Sequence, residues 1–482
     1  MLIRQFQIEG LGHLSTLIGD EEAGLAAVMD PRRDVDIYLA AAAANGLRIS
    51  HVLETHLHND YVSGGRELAA ATGAEQVIGA GAELAYGHRP VRDGDLARVG
   101  SLTFRVLDTP GHTPEHVAYT VADTSRADEP VLMFTGGSLL VGAVGRTDLL
   151  GAANARPYAE LMFHSLHDTI LVNQDFVGIF PTHGAGSLCS TGIGSTPNST
   201  IGFERRYNPL LRPADVDEFA RLLLAGQPAF PRYFARMRGL NQAGPRILGA
   251  IPGPLALGLE ELVRLVDQGA VVVDLRPPAE FAQVHIPGSL SIPAGSSFGT
   301  WLGWVVDLDR SVVFVLPAIT DWDDAIRQAL RIGQESVAGY LEGGLDSWIG
   351  AGLPTESNGE LSVVQLAAAV FRGGADAPLV VDVRQASEFE SGHVTGAWHV
   401  GAGDLPGRLQ DLPRDRPIAT VCAAGYRASV AASILDAAGF SNVSWVAGGM
   451  DTWFAEGLPV DLGGAAGARE PASSDEHGHP HI

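Results

Sequence analysis

Lysine is absent from this chain: all 32 basic residues are arginine. That excludes Schiff-base lysines, pyridoxal-phosphate chemistry and the P-loop lysine together. Cysteine is nearly absent, with only Cys189 and Cys422. Two cysteines far apart are no disulfide framework, so a reducing, cytoplasmic compartment is expected. No apolar run reaches the roughly 18–20 residues of a membrane helix. The N-terminus, MLIRQFQIEGLGHLSTLIGDEE, has no continuous hydrophobic signal region and reads as a strand and a turn. Positive charge is scarce, 32 basic against 56 acidic residues for a net charge of −24. Such a chain repels nucleic acid and anionic membranes, so neither is an expected partner, and an anionic substrate needs a locally positive pocket. The 59 Gly and 28 Pro stay below the roughly 25–30% share that marks low-complexity disorder. What remains is an ordinary globular composition over 482 residues, enough for about three domains.

The second half repeats itself. Val272–Phe281 (VVDLRPPAEF) and Val380–Phe389 (VVDVRQASEF) lie 108 positions apart, as do His285-Ile-Pro-Gly288 and His393-Val-Thr-Gly396. Gly343-Gly-Leu-Asp-Ser-Trp348 and Gly448-Gly-Met-Asp-Thr-Trp453 lie 105 apart. Near-constant spacing of three matches means two copies of one unit. Each copy alternates Val-rich runs with Ala/Leu-rich helical stretches, the pattern of a parallel α/β sheet. Residues 244–254 (GPRILGAIPGP) read as the linker into the repeats, with a second near 355–359. The first half contains strand-like runs such as 102–107 and 130–134 and a helical pattern at 213–224. From Gly463 the chain is small and polar, reads as disordered, and ends His477-Gly-His479-Pro-His481.

Histidine concentrates in the first half. Thr55-His56-Leu57-His58-Asn59-Asp60 follows the apolar run 49–53. On a loop after a strand, His56, His58 and Asp60 can converge on one point, and imidazole with carboxylate suits zinc or iron. Asp108-Thr-Pro-Gly-His112 and Pro181-Thr-His183 repeat the pattern of apolar run, Gly/Pro and His. Cys189 follows His183 by six residues; it reads either as a sulfur relay beside the pocket or as a small buried residue.

These motifs, with FTGGSLLVGAVGRTD and the late PRYFARMRGLN, resemble the metallo-β-lactamase fold over residues 1–245, and GRTD points to its persulfide dioxygenase branch. The resemblance implies an αββα sandwich and an iron held by two His and one Asp. Carried over, the His ligands are His56 and His112, while the Asp position is Gly137. The family's HxHxDH motif ends here in Tyr61. Three arrangements stay open: a three-His site of His56, His58 and His112 with Asp60 or His183 nearby; a two-His site with water in the carboxylate's place; or a scaffold without metal. The resemblance implies Fe(II), with zinc as the alternative. Arg146 is a candidate for holding an anionic substrate or for a structural ion pair.

In the second repeat a Val-rich strand ends in Cys422-Ala-Ala-Gly425-Tyr426-Arg427 and runs into a helix. A thiol there faces loop N–H groups and a helix N-terminus, which favour thiolate. Arg427 adds fixed positive charge, and Gly425 and Tyr426 shape the loop. DVR, EFESGHVTGA, this six-residue loop and GGMDTW resemble the rhodanese family, which implies sulfur transfer through a Cys422 persulfide. Asp382, Arg384 and Glu388 read as fold-fixing. The first repeat has no Cys; its counterpart position is Pro317, followed by Asp321, Asp323 and Asp324. It reads as an inactive copy that serves packing or spacing. The expected organisation is a domain at 1–245, an inactive rhodanese homology domain at 256–356, an active-type one at 361–461, and a tail at 463–482. The resemblance implies a sulfide-detoxifying enzyme acting on small thiol persulfides and sulfite, with a plain sulfurtransferase or a zinc thioester hydrolase resembling glyoxalase II as alternatives. Fusions of this type often self-associate.

Overall fold

The computed structural model describes residues 1–374 and 377–463; His477, His479 and His481 lie outside them. Strands β1 (Leu2–Ile8), β2 (His13–Asp20), β3 (Leu25–Met29), β4 (Arg48–Leu53), β5 (Glu75–Gly79) and β6 (Arg89–Val91) form one sheet in that order. A second six-stranded sheet contains β7 (Leu96–Val99), β8 (Leu102–Asp108), β9 (Val117–Asp123), β10 (Leu132–Gly136), β11 (Gly178–Pro181) and β12 (Ser199–Thr200). The sheets pack face to face through Ile18, Leu53, Val77, Phe104, Tyr119 and Phe134. Helices cover both outer faces, so Val28, Tyr38 and Leu68 fill one outer core and Met133, Met162 and Phe219 the other. This is the expected αββα sandwich. The helix expected at 213–224 begins only at Val216, because the Asp215 side chain accepts the Glu218 N–H at 2.9 Å and caps it.

The two repeats fold alike, strand for strand. The first has β13 (Ala256–Leu257), β14 (Val271–Asp274), β15 (Leu290–Ser291), β16 (Val312–Val315) and β17 (Val337–Leu341), ordered β13-β17-β16-β14-β15. The second has β18 (Gly359–Ser362), β19 (Leu379–Asp382), β20 (Trp398–His399), β21 (Ile418–Val421) and β22 (Val443–Ala447), ordered β18-β22-β21-β19-β20. All pairings in both sheets are parallel. In each repeat the DxR motif is one ion pair: Arg276 on Asp274 at 2.6 Å and Arg384 on Asp382 at 2.7 Å.

The linker at 244–254 has no regular structure but is docked. Glu67 accepts the Leu248 and Gly249 N–H groups, and Leu248 and Ile251 pack on a core that runs across the joint. That core contains Val62, Cys189, Tyr233 and Met237 from the first half and Phe298, Trp322 and Ile332 from the first repeat. Asp34, fully buried, receives Arg331 at 2.8 and 2.7 Å across the same joint. Among the described residues no helix is long and apolar enough to cross a membrane.

Candidate functional site

Loops at the C-terminal ends of β4, β8, β10 and β11 converge at one edge of the sandwich. They bring donor atoms of His56, His112 and His183 within 4.8 Å of one another, all buried. Two of the three rings are oriented by a partner behind them. The His56 Nδ1–H donates to Thr55 Oγ1 at 2.8 Å, and Thr55 in turn donates to Asp30 at 2.9 Å. The His112 Nδ1–H donates to the Arg146 carbonyl at 2.8 Å. Such partners fix the tautomer and leave Nε2 as the free lone pair. Burial, with the neighbouring imidazoles, holds His56 and His112 neutral, and the His112 pKa falls to about 3. Neutral imidazole is the ligating form.

A second set, Asp60, His183 and Cys189, shares His183 and is also mutually within 4.8 Å. Asp60 Oδ2 lies 3.3 Å from His183 Nδ1. Burial disfavours the Asp60 carboxylate, but His183, His58 and His13 outweigh it and hold its pKa below the usual carboxylate range. Burial pushes the Cys189 thiol up. His56 Nε2, both Asp60 oxygens and both His183 nitrogens are buried without a hydrogen-bond partner. Native interiors leave few such atoms; here they fall on two adjoining sets that share His183, and imidazole with carboxylate is a donor chemistry for a cation.

Three residues outside the histidine motifs hold this edge together. Asp30 sits at φ 46°, in the left-handed region. It accepts the Thr55 N–H at 2.7 Å and the Thr182 hydroxyl, tying the ends of β3, β4 and β11. His116 Nε2 accepts the Gly137 N–H at 2.9 Å, and its Nδ1–H donates to Thr109 at 2.8 Å. Tyr119 donates to the Glu54 carbonyl at 3.0 Å. The second His of DTPGHTPEH was the available signal for His116. Asp30 carries no motif at all.

The thiol loop lies at the C-terminal end of β21. Cys422 is buried and its Sγ accepts the Gly425 N–H at 3.1 Å. Gly425, at φ 112°, starts the helix Tyr426–Ala437. The GGMDTW motif backs the loop: the Met450 N–H donates to the Cys422 carbonyl at 2.7 Å, and a Cβ on Gly449 would stand 2.2 Å from that oxygen. Arg427 makes two bonds to Glu388, at 2.6 and 2.8 Å. Tyr426 points away, donating to the Pro293 carbonyl of the first repeat at 3.0 Å.

Residues 12–159 match the metallo-β-lactamase superfamily, and residues 258–351 and 363–456 each match the rhodanese-like domain. A metallo-β-lactamase structure from Staphylococcus aureus superposes with a TM-score of 0.64 at 30% identity, over 70% of this chain and 98% of that one. The chain belongs to the metallo-β-lactamase superfamily. Two rhodanese-like domains follow its metallo-β-lactamase domain. The hydroxyacylglutathione hydrolase of Methylococcus capsulatus is 33% identical over 46% of this chain and 91% of that protein. The mitochondrial persulfide dioxygenase of Homo sapiens is 30% identical over 43% of this chain and 74% of that protein.

Within the metallo-β-lactamase domain the structure corrects the expected grouping. His58 does not join His56 and His112. Its Nε2 lies 3.1 Å from Glu54 and 3.4 Å from Asp30. Burial alone would lower its pKa, yet these carboxylates lift it to about 9. Against burial, Cys189 and Asp60 likewise raise His183, so it is the distances that set His58 in an ion cluster with Glu54 and Asp30. His183 takes its place in the three-histidine set. Asp60 faces His183 rather than His56. Tyr61 occupies the space beside His58, stacked at 4.4 Å, with its hydroxyl on the Asp30 carbonyl at 3.2 Å. At Gly137 a Cβ would stand 2.3 Å from His112 Cδ2, so His112 fills the room a carboxylate needs. Arg146 is a structural ion pair with Asp148, at 2.6 and 2.7 Å, and it also caps the Leu188 and Pro228 carbonyls. In the first rhodanese-like domain Pro317 leads into a short turn in which Asp321 accepts the Ala318 N–H at 2.9 Å.

Proposed function

We propose that the chain oxidises a low-molecular-weight persulfide to sulfite at a mononuclear metal and transfers sulfane sulfur through Cys422, forming thiosulfate. The observation that carries this reading is one polypeptide holding both the His56–His112–His183 set with its unpartnered buried donors and a cysteine loop with an N–H aimed at sulfur. The donor chemistry fits iron or zinc; iron is the metal of this proposal. His56, His112 and His183 would hold it, with Asp60 beside His183. Bound there, it would supply the activation of dioxygen toward the terminal sulfur of the persulfide.

The chain's own residues do the rest. The Arg146 carbonyl and the Thr55 hydroxyl keep the His112 and His56 Nε2 lone pairs turned inward. All three imidazoles are buried, so a group held between them would be shielded from bulk water. One persulfide, one dioxygen and one water give one thiol, one sulfite and two protons. In this scheme Cys189, beside His183, would orient the sulfane sulfur. At the second centre the Cys422 thiolate attacks the outer sulfur of a persulfide and the thiol departs. Sulfite then attacks the outer sulfur of the Cys422 persulfide, releasing thiosulfate and the thiolate. The Gly425 N–H and the fixed charge of Arg427 steady the anionic sulfur. Pro317 and the acidic residues after it leave the first rhodanese-like domain without a nucleophile.

The test is product analysis of the full chain supplied with a thiol persulfide and dioxygen. Sulfite and thiosulfate are expected from the wild type, and sulfite alone from Cys422→Ser. Undiminished thiosulfate from Cys422→Ser refutes the second step. A second reading, thioester hydrolysis with zinc, is favoured by the likeness to hydroxyacylglutathione hydrolases; thioester cleavage without dioxygen uptake would support it instead.

A further inference from the structure

The first rhodanese-like domain lacks a nucleophile, yet it is built into the active end of the second. Its helix Phe298–Val305 carries Trp301 and Trp304 on one side, their rings 5.9 Å apart and near-parallel. Trp304 lies so close to Gly403 that a Cβ there would stand 1.8 Å from the indole. The Pro293 carbonyl holds Tyr426, the residue beside Arg427 in the thiol loop. His285 of the first repeat bonds Asp436 on the thiol-loop helix at 2.8 Å.

Beneath these contacts is a cavity of about 780 Å³ bounded by all three domains. The second rhodanese-like domain contributes the loops that follow β19, β20 and β21, including Arg384, His399 and Arg427. Those strand ends are where parallel α/β sheets bind ligands. The first contributes Trp301 and Trp304; the metallo-β-lactamase domain contributes Arg146 and Phe230. Arg146 is also the residue whose carbonyl orients His112 and whose N–H donates to the Cys189 carbonyl at 2.8 Å. The cavity wall therefore contains Arg146, which backs the histidine set, and Arg427, which closes the thiol loop.

We propose that this cavity binds the organic part of the persulfide, and that Trp301 and Trp304 of the nucleophile-free domain are its specificity-determining walls. The proposal rests on the sulfur-transfer reading above and names its substrate class. Inorganic thiosulfate or cyanide needs a fraction of this volume, whereas pockets of about 300–1,000 Å³ hold molecules of several hundred daltons. The walls supply aromatic faces from Phe230, Trp301 and Trp304. The rim carries both signs of charge, half-buried Arg427 (bonded to Glu388) with exposed Glu390 and Asp404, while Arg384 beneath them is buried on Asp382. Flat apolar faces with mixed charge suit a zwitterionic, peptide-like thiol. The inactive copy is thus kept as a substrate-binding wall rather than as a spacer.

Binding of reduced glutathione to the full chain, followed by tryptophan fluorescence and calorimetry, tests this without turnover. The wild type should bind saturably, one molecule per chain, with quenching that diminishes in Trp301→Phe. Trp301→Leu should weaken binding roughly tenfold, the equivalent of about 1.4 kcal/mol. Trp304 packs on Gly403, so its removal risks the fold. Ala386→Trp instead fills the cavity from an exposed position and should also weaken binding at least tenfold. Absence of saturable binding by the wild type, or affinities within twofold of it in both Trp301→Leu and Ala386→Trp, overturns the proposal. A wild type that binds the thiol but turns over no persulfide would instead refute the sulfur-transfer reading.

Discussion

Replacing His58 with alanine separates the ion cluster from the metal set. His58 is 1% exposed, and its Nε2 sits between Glu54 at 3.1 Å and Asp30 at 3.4 Å. Without the imidazolium these buried carboxylates face each other with no cation. Removing one partner of a buried ion pair costs about 3–5 kcal/mol. That is a large part of the roughly 5–15 kcal/mol that keeps a domain folded. Asp30 also ties the ends of β3, β4 and β11, so the loss falls on the metallo-β-lactamase domain. The assay is urea denaturation of metal-depleted wild type and His58→Ala, with metal per folded chain measured separately after reloading. The expected outcome is a fall in stability of that size with metal stoichiometry retained in the folded fraction. Loss of metal with stability unchanged would show that His58 is a ligand and refute the assignment of His183 in its place.

Three further outcomes follow from the geometry. Gly137→Asp, which restores the carboxylate of the family pattern, should lower stability by about 1–3 kcal/mol by overpacking and fail to tighten metal binding; a melting curve with a metal titration checks both. Asp34→Asn leaves the buried Arg331 without its counter-ion and should cost about 3–5 kcal/mol, read from denaturation midpoints. Burial opposes the Asp34 charge, but Arg331 and Arg32 outweigh it and hold its pKa below the ordinary value. Its contribution is therefore present above the unfolded pKa of about 3.9 and is lost as pH falls toward the folded value, so wild type and Asp34→Asn should converge in stability in acid. Gly449→Ala should cut sulfur transfer by more than about tenfold, because φ is 50° there and the new Cβ would meet the Cys422 carbonyl; an activity equal to wild type would show that the loop tolerates displacement.

Much of the architecture was legible in the sequence because it is local or periodic. The repeat at 272–281 and 380–389 returned as two sheets of identical strand order. The three histidine clusters, each after an apolar run, returned as loops at strand ends on one edge. What was not legible depends on contacts between distant residues. His58 and His56 share a motif, but only the fold shows that Asp30 and Glu54 flank the one and not the other. His183 and Cys189 follow strand β11, and nothing in their spacing says that they face Asp60. Arg146 is followed at once by an acidic partner at Asp148, so an ion pair was readable; its hold on the Leu188 and Pro228 carbonyls was not. The first repeat reads as inactive from Pro317, but Trp301 and Trp304 look like ordinary core aromatics until the second repeat is packed against them.

Metal content and dioxygen uptake of the full chain, purified without a His-tag, decide whether the histidine set is a working metal centre. The wild type should hold about one iron per chain and take up dioxygen with persulfide, and His112→Ala should lose both. A folded wild type that retains no metal after reloading and consumes no dioxygen with persulfide would contradict this, leaving Cys422 as the single reactive centre.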